Sequence, residues 1–344
     1  MAKYSVQNIL QQHLEGVLAQ RKFPLHQHKA LQRLCACRTS LLGGHKQICP
    51  NGHINGIWYN SCKHRSCPQC QGMASEQWLR NTQALLLKCP HHHIIFTLPE
   101  ELNKLWRFNR ALMMSILFTA TQETLKNFYQ DPRYLGATPG LLLALHTWGR
   151  SMNLHPHLHV LISHGGLDAK GVWAEPKKKH LFPQKAVMIM FRGKILSLLR
   201  KASLRDELVL GDGKVDDYLK LILPVMRKKD WVVHFCERYN HPRGVAAYLS
   251  RYIKRSPFKN SQIISVSPSH VTFAYQSHQT KRKERMRLSV KDFISRIIEH
   301  VPLSKKTLVR YCGLYTSSLR ARLDVAKTRR GQLSTVKPPK LSWE

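Results

Sequence analysis

Leu143-Ala-Leu-His146-Thr-Trp-Gly-Arg-Ser-Met-Asn-Leu-His155-Pro-His157-Leu-His159-Val-Leu-Ile-Ser-His164-Gly-Gly166 is the stretch around which the rest of the chain is organised. After Pro156, Leu158, Val160 and Ile162 alternate with His157, His159 and Leu161, a period of two that predicts a strand with successive side chains on opposite faces. His157 and His159 then share a face. At about 3.3 Å of rise per residue their roots lie about 6.6 Å apart, a gap that two imidazoles can close onto one metal ion. A lone His-x-His on a half-buried strand is more often a pair of satisfied polar groups. Here His146 ends another apolar run, Leu141 to Leu145, and the segment between it and His155 suits a hairpin, which would fold His146 back as a third ligand. Three imidazoles leave positions open on a metal, as Lewis-acid chemistry on a substrate requires.

The surrounding chain has 344 residues, too many for one compact core. Its 55 Lys+Arg against 20 Asp+Glu give a formal charge of +35, which calls for a polyanionic partner, with nucleic acid first. No apolar run reaches the roughly 18 residues that span a bilayer, and the polar start Met1-Ala-Lys-Tyr-Ser-Val-Gln-Asn8 is unlike a secretory signal. A cytosolic protein that meets DNA or RNA, with no membrane partner, is expected.

Six of the nine cysteines fall between Cys35 and Cys70, among histidines, and metal ligation accounts for that density better than disulfides do. Cys67-x-x-Cys70 with Cys49-x-x-x-His53 makes four ligands for one tetrahedral structural zinc; Cys37, His45 and Cys62, with His64 as an optional fourth, offer a second. Ahead of them, Val6, Ile9, Leu10, Leu14, Val17 and Leu18, then Leu31 and Leu34, predict two amphipathic helices broken at Phe23-Pro24. Behind them, a helix is expected over 74–88 and a strand at Ile94-Ile-Phe-Thr-Leu98, stopped by Pro99. His91 and His92 read as the solvated entrance to that strand, and His93 as a residue able to face the histidine sheet. One long helix is expected over 102–128, a basic amphipathic helix over 187–204, and a strand over 231–236.

The other informative stretch is His241-Pro-Arg-Gly-Val-Ala-Ala-Tyr248-Leu-Ser-Arg-Tyr252-Ile-Lys-Arg-Ser-Pro257. Val245, Tyr248, Leu249, Tyr252 and Ile253 form one helical face, so the tyrosines lie one turn apart with Arg251, Lys254 and Arg255 nearby. Taken alone, such spacing more often marks two core tyrosines. Tyrosine can also serve as a covalent nucleophile toward a phosphodiester polarised by a metal. A β-like segment over 263–275 leads to the cationic Lys281-Arg282-Lys283, and a helix is expected near 292–300. The basic tail after Arg320 reads as unstructured until it meets nucleic acid.

Taken together, His155-Pro-His157-Leu-His159 resembles the histidine–hydrophobe–histidine signature of HUH endonucleases. Tyr248-Leu-Ser-Arg-Tyr252 resembles the two-tyrosine motif of the transposases of insertion sequence ninety-one. The Leu42-Gly-Gly-His45 and Tyr59-Asn-Ser-Cys62-Lys-His-Arg-Ser-Cys67-Pro-Gln-Cys70 blocks are similar to that family's amino-terminal zinc domain, and the likeness runs over roughly 35–315. Where the family usually has Cys-x-x-Cys-Gly, this chain has Cys49-Pro-Asn-Gly-His53, and His53 is taken to stand in. The resemblance implies an α+β protein: amino-terminal helices (1–34), a zinc-ribbon-like module (35–90), an HUH domain with a central antiparallel sheet flanked by helices (91–258), its carboxy-terminal part (259–320) and a basic tail (321–344). It further implies Tyr248 and Tyr252 as nucleophiles and rolling-circle-like transposition through single-stranded DNA of the element ends and target, in a bacterial nucleoid. Imidazole ligation alone favours Zn, Fe or Ni; the resemblance implies Mg or Mn beside one or two structural zincs. A plasmid or phage replication initiator would share this chemistry, and a zinc-dependent DNA-binding protein without catalysis is the reading from another class.

Overall fold

The computed structural model describes residues 3–20, 22–70, 72–176, 181–240, 244, 256–277 and 279–341. In chain order the elements are α1 (Val6–Gln20), α2 (Leu25–Cys35), β1 (Gly44–Ile48), β2 (Ile54–Tyr59), α3 (Gly72–Leu85), β3 (His91–Thr97), α4 (Asn103–Phe108) and α5 (Arg110–Gln130). They continue with β4 (Thr138–Trp148), β5 (Leu154–Leu167), β6 (Trp173–Ala174), α6 (Gln184–Ser203), α7 (Val215–Lys228) and β7 (Val233–Phe235). Last come β8 (Ile263–Val266), β9 (His270–Gln276), β10 (Lys283–Ser289), α8 (Val290–Glu299), β11 (Val309–Gly313) and α9 (Arg320–Arg329). The α+β class expected from the sequence is the one found, with antiparallel sheets.

The chain packs as two compact units, one made of Met1–Glu76, Trp148–Leu154 and Lys254–Ser304, the other of Gln77–Thr147, His155–Ile253 and Lys305–Glu344. In the first unit, α1 and α2 stand where the apolar spacing put them and bury Val6, Ile9, Leu10, Leu31 and Leu34. That core includes Phe258, Phe273 of β9 and Phe293 of α8, which meet at ring-centroid distances of 5.3 to 5.9 Å. Ser289 caps α8 by accepting from the Asp292 N–H, and Phe293, Ile294, Ile297 and Ile298 then fall on one buried stripe. The β-like segment after 263 resolves into two strands, β8 and β9, paired with β10 in a three-stranded antiparallel sheet.

The second unit is built on a sheet in the order β11-β4-β5-β3-β7, with β6 paired to β5. Phe96 pairs with Leu158 across β3 and β5, and on that face Phe96 meets Phe191 of α6 at 5.0 Å. The opposite face carries Leu142, Ala144 and Leu161 in a cluster with Leu87, Leu314, Leu323 and Ala326. Because both faces are covered, β5 is buried along almost its whole length, which explains a strand richer in apolar residues than one-sided alternation requires.

Three expectations are corrected. The single helix over 102–128 is two, α4 and α5, because Asn109 leaves helical geometry (φ −124°, ψ 40°) and spends its amide on Leu105 O and Val209 O while accepting from the Val209 N–H. The stretch after Arg320 is helical to Arg329, since Leu323 and Ala326 are fully buried on an otherwise cationic helix. His91 and His92 are buried rather than solvated. His91 Nδ1 donates to Cys89 O at 2.8 Å, so its Nε2 accepts from the Tyr315 hydroxyl at 2.7 Å, and that same oxygen accepts from the Leu87 N–H at 3.2 Å. Gly140 makes room for this arrangement: a Cβ there would run into the Tyr315 ring. Tyr315→Phe therefore leaves a buried imidazole nitrogen and a buried amide without their partner and should cost about 1–3 kcal/mol, read as a lower denaturation midpoint at unchanged slope. An unchanged midpoint would show that the three groups are satisfied in some other way.

Candidate functional site

Two clusters of metal-ligating side chains stand out among the described residues, one in each unit. In the first unit the Sγ atoms of Cys37, Cys62, Cys67 and Cys70 all lie within 4.8 Å of one another. Cys37 and Cys70 approach to 3.2 Å, and Cys62–Cys70 and Cys37–Cys67 to 3.6 Å. Tetrahedral zinc with bonds near 2.3 Å needs sulfurs about 3.8 Å apart, so the four residues fit that ion. Their thiols also compete for protons. The hydrogen bond from Cys67 holds Cys62 down at about 5, the same contact pushes Cys67 up, and burial pushes Cys37 up to about 12. A divalent cation is the natural complement to thiolate charge gathered this closely.

Backbone geometry explains how four distant cysteines meet. Asn60 N–H donates to Gly43 O and Arg38 N–H to Asn60 O, closing the base of the β1–β2 hairpin so that Cys37 and Cys62 flank it. Arg38 and Lys63, each next to a ligand, take left-handed φ values of 55° and 50°, a conformation non-glycine residues adopt at a cost. Gln7 reaches across from α1 to donate to Cys35 O and Cys37 O; nothing in the sequence marked that role.

The ligand partition read from spacing is thereby corrected. Cys67 and Cys70 group with Cys37 and Cys62, not with Cys49 and His53. The latter two face each other at 3.5 Å at the turn of the hairpin, and His45 lies exposed against Trp58. The spacing rule failed because it pairs neighbours in sequence, whereas the hairpin carries its tip away from its base.

In the second unit, the hairpin of β4 and β5 brings together His146, His157 and His159, whose ligating nitrogens also lie within 4.8 Å of one another. His157 Nδ1 donates to His155 O at 2.7 Å, so the lone-pair nitrogen of that ring is Nε2, and it faces His159 Nε2 at 3.1 Å. His146 sits at ring-centroid distances of 4.4 Å from His159 and 5.5 Å from His157. His93 of β3, whose register partner on β5 is Leu161, meets His159 Nδ1 at 2.8 Å through its Nε2. It therefore orients His159 from the nitrogen opposite the cluster. Burial, then neighbouring imidazoles, hold His146 and His159 well below the usual histidine range, and burial holds His93 at about 4. Three buried imidazoles whose nitrogens gather this closely fit a divalent metal.

Tyr248, Tyr252, Arg251, Lys254 and Arg255 lie outside the described residues. The chain that leads into them is placed, however: Cys236 N–H donates to His93 O, and Tyr239 exchanges backbone hydrogen bonds with His91 at 2.9 and 3.0 Å. Lys281, Arg282 and Lys283 are exposed at the turn between β9 and β10 in the first unit.

A module built on four cysteines and an α+β domain carrying three convergent histidines define a two-part metalloprotein with a strongly basic chain. Comparison identifies the parts. Residues 9–98 match the family model described as "Transposase zinc-binding domain", and residues 140–322 match the one described as "Putative transposase". The chain is 33% identical over 300 residues to "Putative transposase y4qJ" of Sinorhizobium fredii, covering 83% of this chain and 74% of that protein. It is 30% identical over 291 residues to "Transposase for insertion sequence element IS801" of Pseudomonas savastanoi pv. phaseolicola, covering 83% and 69%. No solved structure matches. The chain belongs to the family of transposases of insertion sequence ninety-one, with that family's zinc-binding domain. As a transposase it binds and cleaves DNA. No helix among the described residues is long and apolar enough to cross a membrane.

Proposed function

We propose that this transposase cleaves and rejoins single-stranded DNA at the ends of its element and at the target through 5′-phosphotyrosine links, in a rolling-circle-like reaction. The observation that carries the reading is the convergence of His146, His157 and His159, all buried, on one point of the sheet. Mg or Mn held there would polarise the scissile phosphodiester, phosphate oxygens of the DNA completing a harder shell than imidazole alone provides.

Tyr248 and Tyr252 are the nucleophiles. The phenol oxygen attacks phosphorus, the bond to the 3′ oxygen breaks, and the leaving 3′ hydroxyl takes up the proton that the phenol gives up. A phenol with an ordinary pKa near 10 is a weak nucleophile at neutral pH, so cationic surroundings must assist; Arg251, Lys254 and Arg255 are assigned that work. The phosphotyrosine keeps the phosphoester bond energy, and a 3′ hydroxyl of another strand can reverse the step without ATP. With two tyrosines four residues apart in sequence, one holds a cleaved 5′ end while the other attacks a second strand. Lys281, Arg282 and Lys283 contribute sequence-independent contacts to phosphates.

Labelled single-stranded oligonucleotides from the element ends, incubated with the protein and Mg or Mn, should yield a covalent protein–DNA adduct. The Tyr248→Phe/Tyr252→Phe double variant should yield none, whereas either single variant still cleaves. Phenylalanine keeps the ring, so the loss reports the hydroxyl. An adduct that persists in the folded double variant defeats the assignment.

A further inference from the structure

The β1–β2 hairpin is an unusual ribbon. Nearly every residue of both strands is exposed, so neither face is covered by the rest of its unit. Two-stranded ribbons without a packed face are marginal alone, and this one is held at its base by the four-cysteine cluster. It nevertheless presents Ile54 at 57%, Ile57 at 54% and Trp58 at 46% exposure.

One face is shaped rather than merely bare. Trp58 pairs with His45 across the strands, and their rings stack with centroids 5.9 Å apart and planes 16° from parallel. The indole extends over Gly56, two residues back on the same face: a Cβ at Gly56 would collide with its six-membered ring. Glycine at that position thus leaves room for the indole to extend over the ribbon, where the ring stays half exposed. Charge along this stretch of the chain has a single sign. Not one Asp or Glu occurs between Glu15 and Glu76, while Arg38, Lys46 and Lys63 are exposed on the hairpin and at its base.

We propose that the β1–β2 ribbon is a second DNA-binding site, which takes an unpaired nucleotide by stacking its base on the Trp58 indole while Arg38 and Lys63 neutralise the flanking phosphates. A half-exposed aromatic ring on a cationic stretch of chain that has no carboxylates of its own is a combination by which single strands are held without regard to sequence. His45 supports the indole from beside it, and Gly56 sets its tilt. The site does not depend on the chemistry of the histidine cluster. It rests only on the chain's being a DNA-binding protein.

The test is fluorescence anisotropy of the full-length, zinc-loaded protein with a labelled oligothymidylate and with a labelled duplex, at one fixed salt concentration and with no added Mg or Mn. Trp58→Ala should weaken oligothymidylate binding about tenfold, the order that one stacked base supplies, with duplex binding changed much less. Trp58→Phe should recover most of the loss. Gly56→Ala, which tilts the indole without removing it, should fall between. Zinc content and circular dichroism equal to wild type establish that each variant is folded; should Trp58→Ala lose zinc, the Phe and Gly56→Ala variants carry the comparison. Oligothymidylate affinity unchanged in folded variants overturns the proposal, as does an equal loss on duplex or a change confined to self-association. Because cleavage is absent from this assay, its result stands whether or not the tyrosine adduct forms.

Discussion

Cys67→Ser is expected to release zinc and leave residues 37–70 without fixed structure, while the helical core of the first unit survives. Cys67 is buried and lies 3.6 Å from Cys37 within the four-sulfur cluster. Little else holds this segment: β1 and β2 bury almost nothing, and the left-handed backbones at Arg38 and Lys63 oppose the fold unless ligation compensates. Structural zinc supplies on the order of 10 kcal/mol in small zinc-dependent domains, comparable to the whole stability of an ordinary one. By contrast α1, α2 and α8 share a core of Ile9, Leu10, Leu31, Phe293 and Ile298 that requires no metal. Elemental analysis should show one zinc fewer per chain, and limited proteolysis should cut within 38–66 far faster than in wild type. Cys49→Ser is the matched control: its sulfur meets only His53, at the exposed hairpin turn, and zinc at the four-cysteine site should be retained. If Cys67→Ser keeps its zinc and resists protease, or if Cys49→Ser removes the same ion, the four-cysteine ligand set is wrong.

How far the site was legible follows from the range over which each feature is determined. The histidine hairpin could be read because its determinants are local: period two after Pro156, and a short return from His146. The zinc partition could not, since ligand spacing in sequence says nothing about which end of a hairpin a cysteine occupies. Had the pairing Gly44↔Tyr59 been anticipated, Cys37 and Cys62 would have been recognised as neighbours across its base. Asn109 broke an apparently continuous helix through Val209, a partner 100 positions away that no window contains. Likewise the basic composition beyond Arg320 concealed a short helix docked through Leu323, Ala326 and the buried Lys327, whose ammonium donates to Ala84 O. Packing of the segment from 254 to 304 with the amino-terminal helices is a long-range outcome of the same kind.

His157→Ala and His159→Ala are each expected to reduce adduct formation on the order of 10³-fold while changing DNA affinity little. The separation follows from where each energy originates. Binding to a polyanion draws on a formal charge of +35 spread along the chain, of which two neutral, buried imidazoles form no part. The chemistry instead requires charge stabilisation at one phosphate, and several kcal/mol lost there corresponds to about 10³ in rate. His146→Ala should be nearly as severe, because it is the third member of the cluster. His93→Ala should cost less, about 10- to 100-fold, since His93 touches the far nitrogen of His159 and acts by holding that ring in its ligating orientation. Titrating each variant with Mn and following bound metal by electron paramagnetic resonance gives a readout that does not depend on turnover. Weak Mn binding by the His157, His159 and His146 variants, with a smaller shift for His93→Ala, is the expected order. Should His146→Ala bind Mn and cleave as wild type while His93→Ala does neither, the third ligand is His93 and the cluster is completed from β3 rather than β4.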